Sequence, residues 1–151
     1  MTFLTCAAAI GAGLIAGVFF TFSNFVMAAL ARTPGGAAAM REINRTVLNP
    51  GFLGVFFGTA VVCLLVAVLA MLSGLSRVSM LQIAGSACYV LGTFLVTIVR
   101  NVPLNDRLVS NDDDAFWAEY LRRWTFWNHV RTVAAVASAI LLVLSLNLDA
   151  F

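Results

Sequence analysis

Polar residues gather in short stretches of this chain, and the apolar runs between them are longer than a soluble core element needs. Four such runs stand out, at about residues 3–31, 52–72, 80–99 and 125–146. At about 1.5 Å per helical residue, each is long enough to cross the roughly 30 Å of hydrocarbon in a bilayer. None shows the period of two that marks a strand. In lipid every backbone N–H and C=O has to find its partner within the segment, which leaves helix as the solution. The pattern predicts an all-α protein: an integral membrane four-helix bundle in a single domain, 1–151, whose long fourth helix extends into the cytoplasm.

Local signals set the helix ends. "NPG" precedes the second run and "SGLS" follows it, and Pro103 in "RNVPLND" is expected to stop the third helix. The stretch "SNDDDAFWAEYLRRWTFWNHVRTVAAVASAILLVLSL" contains neither Gly nor Pro. Ser110 or Asn111 suits its N-cap, and Asp112, Asp113 and Asp114 suit the positive end of the helix dipole. Unbroken, this helix measures about 50 Å, so its first half overshoots the bilayer. The opening segment lacks a basic start and is too long for the apolar part of a signal peptide, so it reads as a retained span.

The spacing also predicts which faces meet. Gly13, Gly17 and Asn24 share one face of the first span, Gly54 and Gly58 one face of the second, and Gly85, Tyr89 and Gly92 one face of the third. Small residues let helix backbones approach closely in membranes, so these stripes are expected at helix contacts, with room left for a homo-oligomer. On the fourth helix, Trp117, Tyr120, Trp124, Trp127, Asn128 and Arg131 fall within an arc of about 100°. Ala134, Ala135 and Ser138 continue that face deeper. An amide and a guanidinium aligned with small residues should face the bundle interior, since an intramembrane ionisable group marks function by default. The alternative is an aromatic belt with snorkelling arginines at headgroup depth. His129 points about 140° away from that face. It reads as an interfacial anchor, a proton-transfer residue, or, least of all, a metal or haem ligand.

Composition agrees with a membrane protein: 62% of residues are hydrophobic and 11% charged. A net charge of +2 is too small to argue for nucleic acid. Every basic residue is arginine. Arg32, Arg41, Arg45, Arg100, Arg107, Arg122 and Arg123 lie on one side of the predicted spans and Arg77 on the other. Positive-inside logic then puts loops one and three in the cytoplasm and both termini outside, in the plasma membrane of a bacterium. Cys6, Cys63 and Cys88 show no paired spacing and read as small hydrophobes. No metal constellation is visible, so no metal is expected.

Asparagine recurs near the arginine-rich helix ends, at Asn24, Asn44, Asn49, Asn101, Asn105 and Asn128. "GGAAAMREINRTVLNP" predicts a short helix with Met40, Ile43, Val47 and Leu48 on its apolar face and Asn44 in the middle of it, while Arg41, Glu42 and Arg45 point to water. A buried amide left unsatisfied costs about 1–3 kcal/mol, so Asn44 should meet another polar group. Asn49 and Asn105 are explained equally well as caps and loop formers.

"FSNFVM", "MREINRTVLNPGF", "FLVTIVRNVPLND" and "WAEYLRRWTFWNHVRT", in that order, resemble the anthrone-oxygenase-like family of small four-helix membrane proteins. The resemblance covers nearly the whole chain and implies an oxygenase that needs no cofactor: characterised relatives oxidise an anthrone to an anthraquinone with O₂ and no known cofactor. Family says more about fold than about reaction. Under the enzyme reading, Tyr120, Trp124 and Trp127 form flat walls, and Arg131, Asn128 and Asn101 hold an oxyanion. Asn24, Asn44 and Asn105 add candidate contacts, and His129 is the one neutral-pH base on offer. The competing reading is a non-catalytic bundle, in contact with lipid, that binds a small apolar or aromatic molecule or plays a structural role. Transport is the weakest reading, since no inverted repeat or broken helix shows.

Overall fold

The computed structural model describes residues 1–111 and 113–149. Among these residues are five helices: α1 Thr2–Arg32, α2 Gly36–Thr46, α3 Pro50–Leu72, α4 Arg77–Ser110 and α5 Asp114–Asp149. No strand occurs among the described residues. Helices α1, α3, α4 and α5 are long and apolar enough to cross a membrane. They form a ring in which α1 and α4 each lie against both α3 and α5. Ala8, Ala12, Ile15, Phe19, Phe56, Cys63, Val66, Tyr89 and Leu142 fill its centre. Phe3, Ile10, Leu14, Val61 and Leu72 are each more than half exposed, the outward apolar surface that a lipid environment covers.

Ends are set by local chemistry. Asn49 caps α3 by accepting from the Phe52 amide at 3.0 Å, with Pro50 in the first turn where no N–H is needed. Ser76 and Ser79 form a reciprocal cap on α4. The cap of α5 differs from expectation. Asp113 accepts from the Ala115 amide at 3.0 Å, whereas the Ser110 hydroxyl bonds back to Asp106 and Arg107 within α4. Asp112 lies outside the described residues. Pro103 does not stop the third long helix either. It falls at the start of an α-helical segment, Val102–Ser110, directly after a π-helical turn, where the wider winding leaves its missing N–H harmless.

Of the three glycine stripes, one packs as expected. A Cβ on Gly92 would stand 2.5 Å from the Ala134 Cβ, and one on Gly85 2.9 Å from Leu142 Cγ, so α4 touches α5 through its glycines. Gly13, Gly17, Gly54 and Gly58 face outward with nothing near them, and Asn24 is exposed too. Helix α1 instead packs through Ala8, Ala12 and Ala16, which are nearly as small. Gly92→Ala should therefore lower the thermal midpoint in detergent by the equivalent of about 1–3 kcal/mol. Gly17→Ala should leave it level or raise it, because Ala is favoured over Gly in a helix by about 1 kcal/mol.

A second apolar cluster sits at the arginine-rich end. Met40 of α2, Leu104 and Leu108 of α4, and Phe116, Tyr120 and Trp124 of α5 are buried together, with Met27 of α1. The overlong N-terminal half of α5 is thus covered by α2 and the end of α4. Arg41 does not point freely to water as its position suggested. Its guanidinium donates to the carbonyls of Leu108 at 2.9 Å and Asn111 at 2.8 Å, holding α2 onto α4. Leu48 departs from the predicted buried face and is 67% exposed.

Candidate functional site

Helix α5 is regular through its middle, so Trp124, Asn128 and Arg131 share one inward face as their spacing requires. The helices opposite are not regular. Phe22–Val26 in α1, and Cys88–Leu95 and Thr97–Asn101 in α4, are π-helical. Such turns widen a helix locally and recur at functional sites. Here they flank the polar cluster from two sides.

Asn128 is the hub of that cluster. Its side-chain amide donates to the Phe19 carbonyl and to the Ser23 hydroxyl, both at 2.7 Å. Its Oδ1 accepts from Arg131 Nε at 2.9 Å. A second guanidinium nitrogen, Nη1, donates to the Thr97 hydroxyl at 3.4 Å. The Thr132 hydroxyl donates to the Asn128 carbonyl at 2.6 Å and lies 3.2 Å from the Ser23 hydroxyl. Thr93 donates to the carbonyl of Arg131 at 3.2 Å.

Arg131 is 5% exposed, and no carboxylate pairs with it among the described residues; the ion pairs seen there are Arg45–Glu42, Arg107–Glu119 and Arg123–Glu119. Its guanidinium carbon instead lies 3.9 Å from the Phe19 ring centroid and 4.8 Å from that of Trp124. Ring faces attract a cation by about 2 kcal/mol when desolvated, without cancelling its charge. A buried positive charge held by neutral groups keeps most of its pull on an incoming anion.

Beside Arg131 lies a cavity of about 180 Å³ at the junction of the two apolar clusters. A dry apolar cavity of about 150 Å³ is known to admit benzene, so this one is large enough for a single aromatic ring. Phe19, Phe22, Met40, Phe52, Phe56 and Trp124 provide its apolar walls, and Asn44, Thr97, Asn105 and Arg131 its polar groups. Asn105 Oδ1 accepts from both the Tyr120 hydroxyl and the Trp124 indole at 2.8 Å, and Asn44 donates to the Tyr120 oxygen at 3.4 Å.

Of the residues singled out from sequence, Arg131, Asn44, Asn105 and Trp124 line this cavity. Asn128, Tyr120 and Asn101 are buried one layer behind it. Asn101 donates to the Trp124 carbonyl at 3.3 Å, and its Oδ1 meets no partner among the described residues. Three candidates are not brought in. Asn24 is exposed, because the inward position near the π turn goes to Ser23. Trp127 is part-buried outside the cavity, with the Arg100 guanidinium 4.7 Å from its ring centroid. His129 is exposed on an outer groove between α1 and α5, since α5 has no bend to turn it inward. Sequence reasoning missed Phe19, Ser23 and Thr97, which touch Asn128 or Arg131. No group of three or more His, Cys, Asp or Glu stands together among the described residues.

The sequence model of the family described as anthrone oxygenase matches residues 52–141, more than half of the chain. The matched stretch includes Thr97, Asn101, Asn105, Trp124, Asn128 and Arg131, but not α1 and α2, which supply Phe19 and Asn44. No curated protein and no solved structure matches the chain.

Proposed function

This chain belongs to the anthrone oxygenase family, and from that premise we propose that it oxidises a lipophilic phenolic of the anthrone type with O₂ in the cavity beside Arg131. The observation that carries the reading is the buried guanidinium, with no carboxylate partner among the described residues, at the wall of an apolar cavity. An anthrone becomes reactive when it loses a proton from its methylene carbon and its charge moves to oxygen as a phenolate. Arg131 stabilises that oxyanion, and the lack of bulk water around it strengthens the effect. The delocalised anion gives one electron to O₂, and the radical and superoxide combine at carbon to a peroxide. Loss of water from the peroxide leaves a carbonyl. The sum is CH₂ plus O₂ giving C=O plus H₂O.

Water, or the substrate's own phenolate, takes the first proton in this scheme, because His129 faces away. Arg131 makes that transfer easier by holding the product anion, which lowers the substrate's own pKa. The arginine-rich end, and so the cavity, faces the cytoplasm by the positive-inside argument.

The test is turnover of an anthrone by membranes containing the protein, read as O₂ uptake and anthraquinone absorbance. The expected result is saturable oxidation above empty membranes, with His129→Ala retaining it within about threefold. An anthrone that binds without being oxidised would favour the second reading, a small-molecule-binding bundle. That reading draws its support from the cavity wall, whose polar groups are two amides, a hydroxyl and a guanidinium.

A further inference from the structure

We infer that the ligand of this cavity enters and leaves sideways, from the lipid, through a portal framed by Leu48, Phe57, Ile98 and Val102. The inference rests on reading the cavity as the binding site. These four residues line it and yet are 67%, 49%, 42% and 39% exposed. They belong to the turn before α3, to α3 itself and to α4, so the opening lies on the flank of the bundle. Phe57 is about 10 Å along α3 from its start, below the arginine-rich end. All four are apolar, so the frame presents no polar group to a passing hydrocarbon ring.

The end of the bundle is closed by comparison. Between the cavity and that end stand Met40, Leu104, Leu108 and Phe116, each at most 7% exposed. Helix α2 is held over them by hydrogen bonds from Arg41 to the Leu108 and Asn111 carbonyls. Entry from water would have to break those bonds and expose that apolar layer. Entry from lipid requires only that side chains at the frame change rotamer. A flat aromatic solute is already concentrated in the bilayer, since each CH₂-sized unit favours an apolar phase by about 0.8 kcal/mol. The portal residues therefore set which shapes pass and how fast, while Arg131 and the walls set how tightly they bind.

A gate alters exchange rates and leaves the equilibrium unchanged, which gives the test. The full chain in phosphatidylcholine vesicles is mixed in a stopped-flow cell with vesicles carrying a dihydroxyanthraquinone, and quenching of tryptophan fluorescence, to which Trp124 in the cavity wall contributes, is followed. For the double variant Leu48→Phe/Ile98→Phe, association and dissociation should slow together by about tenfold, so that their ratio, Kd, changes less than either rate does. Ile98→Ala, which widens the frame and decides the matter if the double variant does not fold, should speed both. Arg41→Ala should change neither. Unaltered rates in the frame variants, or faster exchange in Arg41→Ala, would overturn the portal. Absence of quenching in the unaltered protein would overturn the portal together with the cavity reading. Gated binding without anthrone oxidation would leave the portal standing and remove the catalytic reading alone.

Discussion

Arg131→Leu should lose turnover by about 10²–10³-fold, the usual effect of removing one donor to a developing oxyanion, while the bundle melts no lower than the unaltered protein. The split between activity and stability follows from what surrounds the side chain. The guanidinium is 5% exposed and held by Asn128, Thr97 and two ring faces, with no counter-ion among the described residues. Desolvating an ion costs several kcal/mol even after relaxation, so replacing it by a well-packed apolar side chain is often neutral or stabilising. Set against that gain is an Asn128 Oδ1 left without its partner, at about 1–3 kcal/mol. The terms are similar in size, so the thermal midpoint should stay level or rise. Arg131→Lys keeps the charge but cannot reach Asn128 and Thr97 together, and should retain turnover at about a tenth. A bound dihydroxyanthraquinone adds a check that needs no turnover. Its phenol should ionise at lower pH in the unaltered protein than in Arg131→Leu, because a nearby positive charge favours the anion. The same ionisation curve in both proteins would remove Arg131 from its role.

The inward direction of Arg131 and Asn128 was legible in the sequence because α5 winds regularly, so spacing translates into angle. Helix α1 shows where that translation stops. Gly13, Gly17 and Asn24 do share a face, but periodicity cannot say whether a small-residue face meets protein or lipid, and Ala8, Ala12 and Ala16 offered a second candidate that packs. Beyond it, the π turn at Phe22–Val26 breaks the link between spacing and angle, since one extra residue in a turn rotates all that follows by about 100°. Nothing in "FSNFV" announces such a turn. The same holds for Thr97, which reaches Arg131 from a π-helical stretch of α4. Asn44 was placed correctly against a polar partner because a buried amide demands one, although its partner Tyr120 stands behind the cavity. Trp127 and Trp124 lie on the same arc of α5, and only the position of α4 decides that one meets the cavity and the other meets Arg100.

Asn128→Asp should damage turnover more than Asn128→Ala, although it is the closer substitution in shape. In the unaltered protein the Asn128 amide does two jobs with opposite polarity, accepting from Arg131 and donating to Phe19 and Ser23. A carboxylate keeps the first contact but cancels the charge that the substrate anion needs, and it turns an oxygen toward the Phe19 carbonyl. Turnover should fall about 10²-fold, as for a lost oxyanion donor. Alanine leaves the guanidinium charged but less firmly placed, and should cost about tenfold in turnover together with about 1–3 kcal/mol in stability. The pH dependence separates the two further. Oxidation by the unaltered protein should weaken as pH falls, because the substrate anion becomes harder to form. In Asn128→Asp, protonation of the introduced carboxyl restores both the free positive charge and a donor toward Phe19, so its deficit should narrow on acidification. If Asn128 served packing alone, the isosteric acid would be the milder change and the gap to the unaltered protein would not depend on pH. Initial rates of anthraquinone formation at a series of pH values, with thermal midpoints for both variants, decide between these outcomes.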